Sequence, residues 1–144
     1  MRLKKLQWIA VLLVILPLVG CGKGYVPMGG RVTYSDNGEP LEKGTVAFTQ
    51  GVFQARGEIK EDGRYTIGSF EESDGLPKGT YQVSVGNSDD TVMLNIDTNT
   101  YKTIYRIDDK FADPATSGLT VEVDRKTRTF DFQVDRYVPP RGRR

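Results

Sequence analysis

Apolar and polar side chains divide this chain into one unbroken apolar run near its start and, after residue 30, a series of short alternating segments. Gly, Pro, Asp and Asn cluster between those segments. A repeat of two is the signature of a strand with one face on a core. It is clearest from Phe53 to Lys60, where Phe53, Ala55, Gly57 and Ile59 share one side and Gln54, Arg56, Glu58 and Lys60 the other. That pattern predicts a half-buried antiparallel strand. Asp62 and Gly63 supply a tight turn, and Arg64–Ile67 returns with Tyr65 and Ile67 inward, predicting a hairpin. Upstream, Val32 and Tyr34 point one way, the turn Ser35–Gly38 follows, and Thr45–Thr49 directs Val46 and Phe48 inward.

The polar stretch Ser69–Lys78 predicts a loop over one end of the fold, and Tyr81, Val83 and Val85 the next strand. Thr91–Ile96 places Val92, Leu94 and Ile96 inward, and Tyr101, Thr103, Tyr105 and Ile107 alternate in a further segment. Pro114 and Gly118 break the stretch from Asp108 to Gly118 into irregular loop. Leu119–Val123 and Thr129–Val134 read as a terminal hairpin about Asp124–Thr127, with Leu119, Val121 and Val123 beside Phe130, Phe132 and Val134. No long stretch after residue 21 repeats at 3.6 residues. The expected class is therefore all-β: an antiparallel β-sandwich of about seven to nine short strands, with a barrel as the other closure.

The apolar run differs in kind. Arg2, Lys4 and Lys5 precede an uncharged stretch from Leu6 to Val19. A basic segment before a short apolar one has the form of a secretory signal, because spanning hydrocarbon takes roughly 20 apolar residues. Leu18, Val19, Gly20 and Cys21 follow. This tetrad resembles the lipobox of bacterial prolipoproteins. The resemblance implies diacylglycerol on the Cys21 thiol, cleavage between Gly20 and Cys21, and a palmitate-type acyl chain on the new amino group. The division it suggests is a signal helix over 1–20, a lipidated linker over 21–29, a sandwich domain over 30–135 and a basic flexible tail over 136–144. About eight residues of linker reach at most roughly 30 Å, which holds the domain near its membrane. Cys21 is the one cysteine, so no internal disulfide supports the fold.

Charge supports that division. The whole chain is nearly neutral at +1, yet beyond Gly20 it carries 17 bases against 19 acids. Arg136, Arg141, Arg143 and Arg144 concentrate +4 in the last nine residues and leave −6 on the body from 21 to 135. An acidic body lacks the basic face that phosphate binding needs, so nucleic acid is not an expected partner. The tail is suited to a solvated end or to contact with anionic lipid.

Three blocks, Gly29–Phe48, Glu61–Ile67 and Leu76–Val85, resemble the transthyretin-like or carboxypeptidase-regulatory-like fold. Lys110–Val123 and Thr129–Val134 are similar to a group of small bacterial lipoproteins built on it. The shared residues are structural, with Gly38, Gly44, Gly63 and Gly79 at turns, so the resemblance implies a fold more than an activity. That family includes a purine-pathway hydrolase that uses histidines and a C-terminal Tyr-Arg-Gly-Ser; both are missing here, and no catalytic residue is carried over.

The chain has no histidine. This removes Ser-His-Asp and Cys-His systems and every imidazole zinc site. Asp108, Asp109 and Asp113, near Asp89, Asp90 and Asp97, form the acid cluster with the best claim to calcium; the plainer reading is solvated turn formers. Glu71, Glu72 and Asp74 read as a solvated loop face. Most aromatic residues fall on inward phases, leaving Tyr25, Phe70, Phe111 and Tyr137 in loops or termini, with Phe70 and Phe111 a candidate binding patch at one end. The expectation is a non-enzymatic, membrane-tethered structural or binding module of the cell envelope, without a cofactor. It would face envelope proteins or polysaccharide. The contrasting expectation is a carbohydrate- or calcium-binding accessory domain or a hydrolase using loop carboxylates.

Overall fold

The computed structural model describes residues 24–140, so the expected signal helix and Leu18, Val19, Gly20 and Cys21 lie outside the described residues. Alternation becomes strand across most of the chain: β1 Met28–Tyr34, β2 Gly44–Gln50, β3 Phe53–Ile59, β4 Arg64–Ile67, β5 Gly79–Gly86, β6 Asp90–Asn95, β7 Thr100–Ile104, β8 Leu119–Val123 and β9 Phe132–Val134. Among the described residues there is no α-helix, only a short 3-10 turn at Asp109–Ala112. One sheet has the order β4-β1-β9 and the other β3-β2-β5-β8, while β6 and β7 form a separate two-stranded ribbon. The two larger sheets face each other as a β-sandwich.

Their inner faces make one core. Phe48 on β2 is fully buried, and its ring lies 6.2 to 6.3 Å from those of Tyr81, Tyr65 and Phe130. Phe48 thereby joins its own sheet to side chains of the opposite one. Tyr65 adds a polar tie, its hydroxyl donating to the Phe130 carbonyl at 2.5 Å. Burying that ring and hydroxyl raises the Tyr65 pKa well above the ordinary phenol value.

The expected hairpin of β3 and β4 closes at both ends, where Lys60 N donates to Arg64 O at 2.9 Å and Arg56 N to Gly68 O at 3.0 Å. Between those points the strands part to join different sheets: β3 pairs with β2 and β4 with β1. At the crossing a side chain on Gly57 would meet the Thr66 carbonyl at 2.1 Å, so only glycine fits.

Two expectations are corrected. The terminal hairpin does not form: β8 pairs with β5, whereas β9 runs parallel to β1 in the other sheet. Val121, Val123, Phe132 and Val134 are buried together because they face across the core from opposite layers, not because they lie side by side. The second concerns β6 and β7, which pair with each other but lie outside the sandwich. Val92, Leu94 and Ile96 are 43%, 61% and 79% exposed, not inward. Among the described residues no third layer faces them.

The sandwich has two unlike ends. At one, residue 24 enters and Val26 bridges Leu76, beside the β2–β3 turn, the loop from Ser69 to Leu76 and the turn at Asp124–Arg128. At the other, the ribbon departs after Gly86 and the chain returns through Arg106 to the 3-10 turn.

Candidate functional site

The ribbon end is organised by ion pairs. Asp90, at the base of β6, accepts from Lys43 Nζ at 3.0 Å and from Arg106 Nε at 2.9 Å, with Arg106 Nη2 at 2.7 Å. Lys43 also donates to the Asp89 carbonyl at 2.8 Å. The hydrogen bonds from Lys43 and then Arg106 hold the Asp90 carboxyl below the usual carboxylate range, and the bond to Asp90 raises Arg106 in turn. The ribbon is thus clamped at its root and free beyond it. Past the root, Met93 and Tyr101 are 46% and 50% exposed, and at the root itself Ile104, opposite Asp90, and Tyr105 are 45% and 50% exposed.

The chain's final described segment packs at the same end. Arg136 donates to Asp36 at 2.9 Å and Glu39 at 3.0 Å, and its guanidinium lies 3.6 Å from the centre of the Tyr34 ring. Tyr137 N donates to the Arg106 carbonyl at 3.2 Å, and its ring is 5.0 Å from that of Tyr105. Arg136 and Tyr137, expected in the tail over 136–144, therefore pack against the folded unit. Asp135 accepts from Lys110 and, at 2.6 Å, from Ser35 Oγ, and both partners, Lys110 first, lower its pKa.

The acid cluster serves local turns. Asp108 Oδ1 accepts from Lys110 N at 2.9 Å and caps the 3-10 turn, while Asp113 Oδ1 accepts from Ala115 N at 2.8 Å. Short acidic side chains capping the backbone in this way explain Asp at those positions. Asp109 is exposed beside them. Among the described residues, no group of three or more His, Cys, Asp or Glu side chains is arranged to hold a metal ion.

The aromatic pair is not a patch. Phe111 is 5% exposed and packs in the core through the 3-10 turn, whereas Phe70 is 74% exposed at the end where residue 24 enters, its ring 6.2 Å from Tyr25. Loop position alone made them look alike. An open groove of about 880 Å³ runs beside β3, but its Glu42, Glu58, Glu61 and Glu72 are interleaved with Arg56 and Lys60.

Sequence reasoning missed the Lys43–Asp90–Arg106 clamp and the Arg136 tie to Asp36 and Glu39. Partners separated by 16 to 100 residues leave no periodic signal. No described helix is long and apolar enough to cross a membrane.

Comparison with family models and with curated proteins finds no match. Among solved structures, the chain is similar to part of the major pilin subunit of Bacillus cereus, at 14% identity and a TM-score of 0.44. A 9R-lipoxygenase from Cyanothece aligns at 16% identity and a TM-score of 0.35. The aligned region covers 78% and 81% of this chain, but only 30% and 17% of those two.

Proposed function

We propose that the chain is a bacterial lipoprotein, anchored through Cys21, whose transthyretin-like sandwich is a non-enzymatic structural or binding module of the cell envelope. The observation that carries the anchoring is the tetrad Leu18-Val19-Gly20-Cys21 at the end of an uncharged run, with the fold beginning at the Val26 bridge only five residues later. Binding rather than catalysis is supported by the absence of histidine, the use of Asp108 and Asp113 in local caps, and a core filled with aromatic side chains. The ribbon is the surface best suited to bind. A two-stranded arm that exposes Val92, Leu94, Ile96 and Tyr101 offers apolar side chains to a partner.

Fractionation of cells making the parent or Cys21→Ala tests the anchor: the parent belongs in the membrane fraction and the variant outside it. Equal recovery of both in the membrane fraction refutes anchoring through Cys21. For the module, a photo-crosslinking residue at Leu94 is expected to give a discrete adduct in cells that the same residue at Glu58 does not.

A further inference from the structure

We infer that the end of the sandwich where residue 24 enters is a bilayer-contacting face, with Val52 and Phe70 as its apolar tips, and that the ribbon is held on the side away from the lipid. The inference rests on the proposed anchoring through Cys21 and adds to it a fixed orientation and a second contact with the membrane.

The short reach from Cys21 sets the orientation. The chain is already tied down at Val26, which exchanges backbone hydrogen bonds with Leu76 at 2.8 and 3.1 Å. The seam admits no slack, since Gly75 has a φ of +83° and a side chain there would meet the Val26 carbonyl at 2.3 Å. Only five residue steps separate Val26 from Cys21, at most about 18 Å of extended chain. The linker expected to reach roughly 30 Å is thus shorter, because pairing begins at Val26, before β1. An anchor at Cys21 brings this end of the domain to the headgroups, whatever the conformation of the link.

That end also displays apolar tips. Val52 sits at the tip of the β2–β3 turn and is fully exposed, the extreme among the described apolar residues. Phe70 projects from the neighbouring loop, and the carboxylate of Asp74 holds that loop by accepting from the backbone N–H groups of Ser69 at 2.5 Å and Phe70 at 3.1 Å. These two apolar side chains stand on separate loops and are both exposed, and both lie at the end that the anchor draws inward. Side chains of that kind partition into the headgroup–acyl boundary.

Charge on this end is mixed. Lys78 and Arg125 border Gly24 and Tyr25, and Lys126 stands on the same turn as Arg125. Beside them are Glu71, Asp74 and Asp124, of which Asp124 accepts from the backbone N–H groups of Lys126 and Thr127 at 2.7 Å. The contact is therefore apolar first, with attraction to anionic lipid secondary.

The ribbon departs from the other end. β5 runs from the entry end to the ribbon end, and its eight residues span roughly 23 Å at about 3.3 Å per residue. The exposed ribbon is thus displaced from the lipid by the length of the sandwich, where a partner in the envelope can reach it.

The test uses tryptophan as a depth probe, because the single Trp, Trp8, lies in the segment expected to be removed. Val52→Trp, Phe70→Trp and Leu94→Trp are made in the full chain, purified from membranes and placed in vesicles of phosphatidylglycerol, phosphatidylethanolamine and a brominated phosphatidylcholine. Mass spectrometry of the purified protein reports separately whether Cys21 carries lipid. If it does not, the chain from residue 21 is coupled through that sole thiol to a maleimide phospholipid, and the orientation is tested all the same. The expected result is loss of emission by bromine quenching at positions 52 and 70, with emission at 94 unchanged. Equal quenching at all three positions, quenching at 94 alone, or none at 52 and 70 overturns the inference. Replacing phosphatidylglycerol by phosphatidylcholine is expected to leave the order of quenching intact.

Discussion

β3 and β6 are both short strands in antiparallel pairs, and in both the sequence predicts an inward apolar face, yet they end in opposite surroundings. In β3, Ala55 and Ile59 are 1% and 7% exposed, while in β6 every residue after Asp90 is exposed. Pairing is satisfied in each. What differs is the facing layer: β3 lies against the sheet built on β1, and the ribbon leaves the sandwich before any sheet opposes it. Backbone pairing makes a strand; a second layer makes a core. The ribbon's apolar side chains, Val92 on one face and Met93 with Tyr101 on the other, thus have no covering layer among the described residues, and its clamp of Lys43, Asp90 and Arg106 presents them.

The comparison breaks most sharply at Phe48. Phe48→Ala is expected to cost about 3–5 kcal/mol in urea unfolding, because it removes the ring shared by both sheets. Gly57→Ala comes next, at about 3 kcal/mol, since the new methyl meets the Thr66 carbonyl where β3 and β4 part. A Gly57→Ala protein as stable as the parent would show that the crossing can open. Tyr65→Phe is expected to cost about 1–2 kcal/mol by leaving the Phe130 carbonyl without its donor.

Smaller again is the effect of acid. Asp90, Asp124 and Asp135 have folded pKa values below the ordinary carboxylate value: Asp90 through Lys43 and Arg106, Asp124 through the backbone of Thr127 and Lys126, and Asp135 through Lys110 and Ser35. The folded state therefore favours their ionised forms. Their contribution is present above about pH 4 and is lost as pH falls through the lowered folded values. Asp90→Asn should make that acid limb shallower and speed amide exchange in β6 and β7 while leaving the sandwich protected. Uniform exchange throughout would mean that the clamp is not what holds the ribbon. The least effect is expected at the ribbon itself, where Leu94→Ala should change stability by no more than about 0.5 kcal/mol. A larger loss would reveal a covering layer on that face.

Local chemistry made most strands and turns readable. The alternation in Phe53–Ile59, the turn at Asp62 and Gly63, and the loop from Ser69 were all legible because each depends on neighbours in sequence. Phe70 and Phe111 were not distinguishable, since both lie between breakers and only folding sends one to solvent and the other beneath the 3-10 turn. Likewise, β8 and β9 have the spacing of a hairpin, but a sheet pairs whichever edges meet. The free edges of β5 and β1 lie on opposite layers.

The sequence by itself determined the all-β class, the absence of imidazole chemistry, and the tetrad ending at Cys21 that makes anchoring a proposal. Residue type and short-range period carry that information. Tertiary structure alone decided that Val26 already belongs to the fold, that Val52 and Phe70 share its end, that Arg136 and Tyr137 are packed at the other, and that the ribbon is uncovered. Those facts depend on which layers face each other and on contacts between residues as much as 100 positions apart. No local period encodes such distances.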